Sequence, residues 1–344
     1  MPLNVTVTHE VDQKEWDGLI ERFSGSFFLR PECLSMHEYD YLPCYFRFYD
    51  SSQKVIGIAF GALIRSRRPL LKHLFRSLYL PTLPVAEGGS LPLLERMIRE
   101  IDEYGRREKV TSIASDSFYA GSAYEGFESL GFKPRGRWEF LWDLQGSERE
   151  IWERMDPHHR RYAKYGDRRG VVFREDQSLD GVLRLIALQE NAKKRTQARG
   201  GDYTLPSAQG YRSMKEKILD QGYGSIFFAE KEGQPLSGLL VAIYHQRAYL
   251  IFAGTSPEGY QLRAPIFLFL NTAMALKKRG IIEWNLGGVP WEAQDEADES
   301  YGLFKFKKRF GTKPVLRYSG EIKTVNRLRA TVRDVARGLM ACKI

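Results

Sequence analysis

The apolar pattern of this 344-residue chain runs through one cycle of elements and then runs through it again. Residues 45–49 and 55–64 read as two strands joined by the turn-forming Asp50-Ser51-Ser52-Gln53-Lys54. The spacing of Leu94, Met97, Ile98 and Ile101 predicts an amphipathic helix over 91–106. Residues 110–114 then read as a strand, 120–130 as a helix closed by Gly131, and 139–144 as another strand. Ahead of this cycle, residues 5–7 alternate like a short strand, and 13–22 carry Trp16, Leu19 and Ile20 at helical spacing.

The second cycle opens with a helix over 148–165, basic at its end, a strand over 171–174 and helices over 179–194 and 206–221. Strands over 225–230 and 236–244 form a hairpin across Glu232-Gly233-Gln234, and 248–255 adds a third. A helix over 264–279 is stopped by Gly280. The strand over 281–286 runs into Gly287-Gly288, and 315–322 is the last strand. Residues 325–340 read as a basic helix with Leu328, Val332, Val335 and Leu339 on one face. Each half is thus a hairpin, a helix, a strand, a helix and a strand. That order is α/β with mixed (α+β) sheets, neither all-β nor a bundle, and it predicts two copies of one fold. The expected boundary lies near Gly146: one domain over 1–145, a second over 146–322, and a basic helix over 323–344 packing back on the body.

Charge is distributed unevenly along this frame. The formal net charge is +9, yet from Tyr301 onward there are twelve Lys or Arg and two acids, so everything before sums to −1. A second cluster gathers Arg160, Arg161, Lys164, Arg168 and Arg169 against Asp167. Two basic clusters in an otherwise near-neutral chain favour a polyanionic partner: phosphates, RNA or an anionic membrane surface. Hydrophobic residues at 43% and charged residues at 28% are ordinary for a globular protein and exclude a disordered one. Cys33, Cys44 and Cys342 show neither metal nor disulfide spacing, which predicts a reducing compartment. No apolar leader stands at the N-terminus, and the apolar stretch over 264–276 is too short to cross a bilayer and is interrupted by Pro265 and Asn271. The expectation is a soluble cytoplasmic protein that needs no metal and no cofactor.

The most specific stretch begins at Leu144-Gln145-Gly146-Ser147-Glu148, passes Trp152 and reaches Arg160-Arg161-Tyr162-Ala163-Lys164 and Gly170-Val171. Downstream come Trp284-Asn285-Leu286-Gly287-Gly288 and then Gly302-Leu303-Phe304-Lys305-Phe306-Lys307-Lys308-Arg309-Phe310-Gly311. That order resembles the FemABX family, the transfer-RNA-dependent aminoacyltransferases of peptidoglycan cross-bridges, relatives of the GNAT acyltransferases with two GNAT-like domains. The motifs span roughly residues 140 to 320, and the first half resembles the family in element order alone. The resemblance implies an aminoacyl-tRNA donor and the amine of a peptidoglycan-precursor-like peptide as acceptor, with no cofactor because the ester is already activated. It also implies that Lys307, beside Phe306, stabilises charge at the tetrahedral carbon. As substrate-binding residues it implies Asp116 at a strand end, Arg160, Arg161 and Lys164 on phosphates, Arg199 in a Thr-x-x-Arg pattern, and Tyr211 and Tyr249 along the acceptor cleft. The chain departs from the family at Met36-His37-Glu38, where a phosphate-binding lysine is usual, and at Asn285, where aspartate is common.

Other chemistries fit less well. A GNAT enzyme using acyl-coenzyme A holds the pyrophosphate on a glycine-rich loop opening a helix, and the corresponding stretch here, 255–265, has one glycine. An acyl-coenzyme A-dependent N-acyltransferase acting on a cell-envelope polysaccharide or peptide precursor is therefore the second expectation. No Gly-x-Ser-x-Gly elbow occurs, and the adjacent His158-His159 would point apart on a helix instead of sharing a metal. The basic terminal helix could also rest on the anionic inner membrane surface or bind RNA without catalysis.

Overall fold

A computed structural model describes residues 3–37, 40–65, 76–116, 128, 130–198 and 204–322. Arg199, the terminal basic helix and nearly all of the helix expected over 120–130 lie outside the described residues. The chain divides into two units: one takes Met1–Cys33, Tyr39–Gly136 and Arg317–Ile344, the other Leu34–Glu38 and Arg137–Leu316.

The first unit contains β1 (Asn4–Thr8), α1 (Gln13–Arg22), β2 (Asp40–Tyr49), β3 (Val55–Arg65), β4 (Arg76–Leu80), β5 (Val85–Ala86), α2 (Leu91–Arg107) and β6 (Ser112–Asp116). Its sheet runs β1-β2-β3-β4-β6 and closes on the end of β13 (Lys313–Ile322), with β5 on β3. The β4–β6 pair is parallel and its neighbours are antiparallel. Asp12 caps α1 by accepting the Glu15 N–H at 2.8 Å, and the helix buries Trp16 and Ile20. Helix α2 turns Leu94, Met97, Ile98 and Ile101 inward onto Phe46, Phe48, Leu63 and Leu78.

The second unit begins in β7 (Lys133–Asp143) and continues through α3 (Glu148–Arg154), α4 (Pro157–Arg168), β8 (Val172–Glu175), α5 (Leu179–Ala198) and α6 (Ala208–Met214). Then come β9 (Gly224–Lys231), β10 (Gln234–Tyr244), β11 (Arg247–Thr255), α7 (Pro257–Gln261), α8 (Ala264–Lys278), β12 (Glu283–Pro290) and α9 (Tyr301–Lys308). The sheet order is β8-β9-β10-β11-β12-β7. Only β11 and β12 are parallel, and they pair over three residues, 247–249 against 283–285. Its core is aromatic: Trp142 stacks on Trp284 at 5.8 Å, and Phe269 lies against Trp284 at 5.4 Å and against Phe310 at 5.3 Å.

Two differences from the sequence expectation matter for the site. The single helix expected over 148–165 is two helices, because Pro157 cannot donate inside a helix but fits its first turn. Asp156 caps the second by accepting the His158 N–H at 2.8 Å, while Ser147 and Glu150 form a reciprocal cap on the first. In addition, β7 and β13 each close a sheet whose other strands lie far away in sequence. Element order does not reveal such closures, because strand pairing is a non-local contact.

Candidate active site

The stretch that bears Lys307 follows Gly287-Gly288 and is assigned no element from sequence. It is helix α9. Phe306 packs edge-on against Phe269 and Phe310, at 5.4 and 5.2 Å, and its carbonyl accepts the Nε2–H of His159 at 3.0 Å. Burial pulls the His159 imidazole down to about 4, so the ring is neutral near pH 7 and ties α4 to α9. Phe306 therefore orients the helix from its apolar side. Lys307, one residue on, turns toward the sheet.

There the side chain is 6% exposed, and its ammonium donates to the Gly288 carbonyl at 3.1 Å. The Phe140 ring lies 5.9 Å from Nζ. Burial, aided by the Arg137 cation and opposed by the Glu139 carboxylate, pulls Lys307 down to about 7. A lysine so placed gives up its proton far more readily than an exposed one.

The receiving carbonyl belongs to a β-bulge. Between Leu141↔Asn285 and Glu139↔Gly288, β7 advances two residues and β12 three. The extra residue is accommodated by Gly287, whose φ of +72° is costly for any residue with a Cβ. Gly288 leaves room for Arg137 instead: a Cβ there would lie 2.8 Å from Arg137 Nε and 2.9 Å from Arg137 Cδ, so the arginine would have to shift. Arg137 in turn donates from Nη2 to Glu139 Oε1 at 2.5 Å. The second oxygen of the fully buried Glu139 accepts from Asn285 Nδ2 at 2.7 Å, and Asn285 Oδ1 accepts the Gly287 N–H at 2.8 Å. Tyr249, 2% exposed, pairs with Asn285 in the parallel register.

On its other face α9 lines a cavity of about 680 Å³ with Lys305, Lys308 and the adjacent Arg309, opposite Arg154 and Arg160. Glu153 and Asp156 are the acids in that wall, so the cavity is basic. Of the residues expected on phosphates, Arg160 lines it. Arg161 and Lys164 are exposed on the same α4; Arg161 lies over the Tyr162 ring and Lys164 over Trp152. Tyr211 is 4% exposed and donates its hydroxyl to the buried Gln189 at 2.8 Å. Asp116 belongs to the first unit, at the end of β6, where it accepts the Tyr79 hydroxyl at 2.8 Å.

Lys307 and Arg160 are candidates from sequence, which also shows the Gly-Gly step; Arg137 and Glu139, which the structure sets around Lys307, are not among those candidates. Their signal was a pair of opposite charges two residues apart, hence on one face, at the entrance of an apolar strand.

Residues 156–307 match the acetyltransferase (GNAT) domain family. No curated protein matches the sequence. Among solved structures, FemX superposes with a TM-score of 0.71 at 12% identity, over 91% of this chain and 96% of that one. L-PGS from Bacillus licheniformis superposes with a TM-score of 0.54 at 14% identity, over 95% and 96%. A tandem GNAT protein from the clavulanic acid biosynthesis pathway gives 0.54 at 11%, over 94% and 99%. The match marks the protein as an acyltransferase, with a GNAT domain over residues 156–307. Within that class the chain has a FemABX-like fold, with tandem GNAT-type units.

Proposed function

We propose that this protein moves an amino acid from aminoacyl-tRNA to an amine of a peptidoglycan-precursor-like peptide, with Lys307 as the cation of the transfer site. The observation that carries this reading is a lysine nearly excluded from water, aimed at a bulged strand, with no charged partner at bonding distance among the described residues. The acceptor nitrogen attacks the ester carbonyl carbon, and the carbonyl electron pair moves onto oxygen. An ammonium held in a dry site stabilises that oxyanion far better than water would. The oxyanion's electron pair then re-forms the carbonyl, the C–O bond to the ribose breaks, the ribose oxygen takes up the proton that the nitrogen gives up, and an amide and a free ribose hydroxyl remain. Because the ester is activated beforehand, this sequence needs no further group.

The basic cavity on the outer face of α9 supports a phosphate-rich donor, with Arg160 in its wall and Arg161 and Lys164 extending along α4. Tyr211 and Tyr249 are proposed for the acceptor side, and Asp116 and Arg199 as substrate-binding residues, as the FemABX resemblance implies. The basic segment beyond residue 322 would bring the protein to the anionic inner membrane surface from the cytoplasm. Among the described residues no helix is long and apolar enough to cross a membrane.

The deciding experiment is single-turnover transfer from charged tRNA. Lys307→Ala should lower the rate by roughly 100-fold or more, as expected for losing about 3 kcal/mol of oxyanion stabilisation. An unchanged rate in a folded variant removes Lys307 from the reaction. A second reading, acyl-coenzyme A as donor to a cell-envelope precursor, is favoured by the acetyltransferase-domain match and by the early divergence of β11 from β12. Calorimetry with coenzyme A against charged tRNA separates the two.

A further inference from the structure

Glu139 is a carboxylate with no measurable exposure in the middle of a sheet. Burying such a charge is expensive unless it is paired and hydrogen-bonded, and here both oxygens are engaged, one by Arg137 and one by Asn285. A strand needs no such device to pair with its neighbour. What the device touches is the bulge: Asn285 holds the Gly287 N–H, Arg137 lies across Gly288, and the Gly288 carbonyl receives Lys307.

We infer that the half-buried Arg137 and the buried Glu139 and Asn285 form a positioning network whose two opposite charges set how firmly the Lys307 ammonium is held at the Gly288 carbonyl. The inference rests on the reading of Lys307 as the cation of the transfer site. Arg137 and Glu139 act on Lys307 with opposite sign, the first disfavouring the ammonium and the second favouring it. The ion pair between them keeps the two effects in balance. Of the other elements packed on α9, β12 contributes the neutral Asn285, the turn over Trp291–Gln294 contributes the exposed Glu292, and α4 contributes His159, itself neutral down to about pH 4. The network residues are positioning residues; in the proposed reaction it is Lys307 that meets the reacting atoms.

The test follows Lys307 directly by NMR of protein labelled with 13C at lysine Cε, the signal being assigned by its loss in Lys307→Arg. Wild-type Lys307 should titrate near pH 7, far from the exposed lysines. Glu139→Gln should move the midpoint down by roughly one pH unit, and Arg137→Gln should move it up by roughly one. A role confined to holding the sheet together would not produce shifts of opposite sign. Midpoints that stay put in the folded variants, or move the same way, overturn the network, as does a wild-type midpoint near 10. Should Glu139→Gln fail to fold, Arg137→Gln decides alone: its side chain is 25% exposed, and a midpoint that does not rise overturns the proposal. No donor or acceptor enters this measurement. An active Lys307→Ala enzyme would thus sink the transfer reading and leave the titration standing, whereas an unmoved titration would do the reverse.

Discussion

In the first unit β6 lies between the parallel β4 and the antiparallel β13, and its four pairs with each run without a register break. In the second unit β12 holds the same place between β11 and β7, but it pairs with β11 over three residues and bulges against β7. The residues differ accordingly. β6 reads Ser-Ile-Ala-Ser-Asp, while β12 carries Asn285, Gly287 and Gly288 at the break. One sheet plan therefore yields an unbroken strand in one copy and a bulged, glycine-bearing strand beside Lys307 in the other, at the cost of a single inserted residue. In the proposed reaction the chemistry resides in the irregularity, and the shared topology only delivers it.

Three measurements strain this contrast, beginning with the largest effect. The bulged strand leans on the stack behind it, so Trp284→Ala should cost roughly 3–5 kcal/mol in equilibrium denaturation. A loss under about 1 kcal/mol would mean that β12 does not depend on Trp142 and Phe269 for support. The next effect depends on pH. Lys307 has a folded-state pKa near 7 against an ordinary value of 10.5, so between them the unfolded chain binds more protons than the folded one. Stability should therefore rise as pH increases through that window, while turnover, which needs the ammonium, falls. In Lys307→Met the rise should vanish, and a wild-type stability curve already flat over the window would contradict the burial of a titrating amine. The smallest effect is electrostatic. Arg160→Ala, in the cavity wall, should lower the slope of log affinity for tRNA against log salt by about one, whereas Asp116→Asn in the first unit should leave that slope alone.

Much of this molecule can be read from its sequence where contacts are local. The helix over 13–22 and the strand pair around Asp50–Lys54 follow from spacing and turn residues, and they occur as α1, β2 and β3. Lys307 could be singled out because its motif resembles that of a known family. The surroundings of Lys307 could not, since they depend on partners 168 and 170 positions away, Glu139 and Arg137, joined to it only through the β7–β12 pairing. Helix α9 was obscured for a different reason: its Gly302 and its run of bases weaken the apolar period, and the packing of Phe306 and Phe310 on Phe269 supplies what propensity does not. Pro157 shows the opposite error, a helical period strong enough to hide the break that the proline imposes.

Helix α9 also carries a counting rule. Each residue along it rotates the side chain by about 100°, so the basic cavity and the strand bulge are served by neighbours on a fixed angular schedule. Inserting or deleting one residue between Tyr301 and Lys307 would swing a phenylalanine or the wrong lysine toward the sheet. Substitutions along this helix can be absorbed one by one; changes of its length cannot.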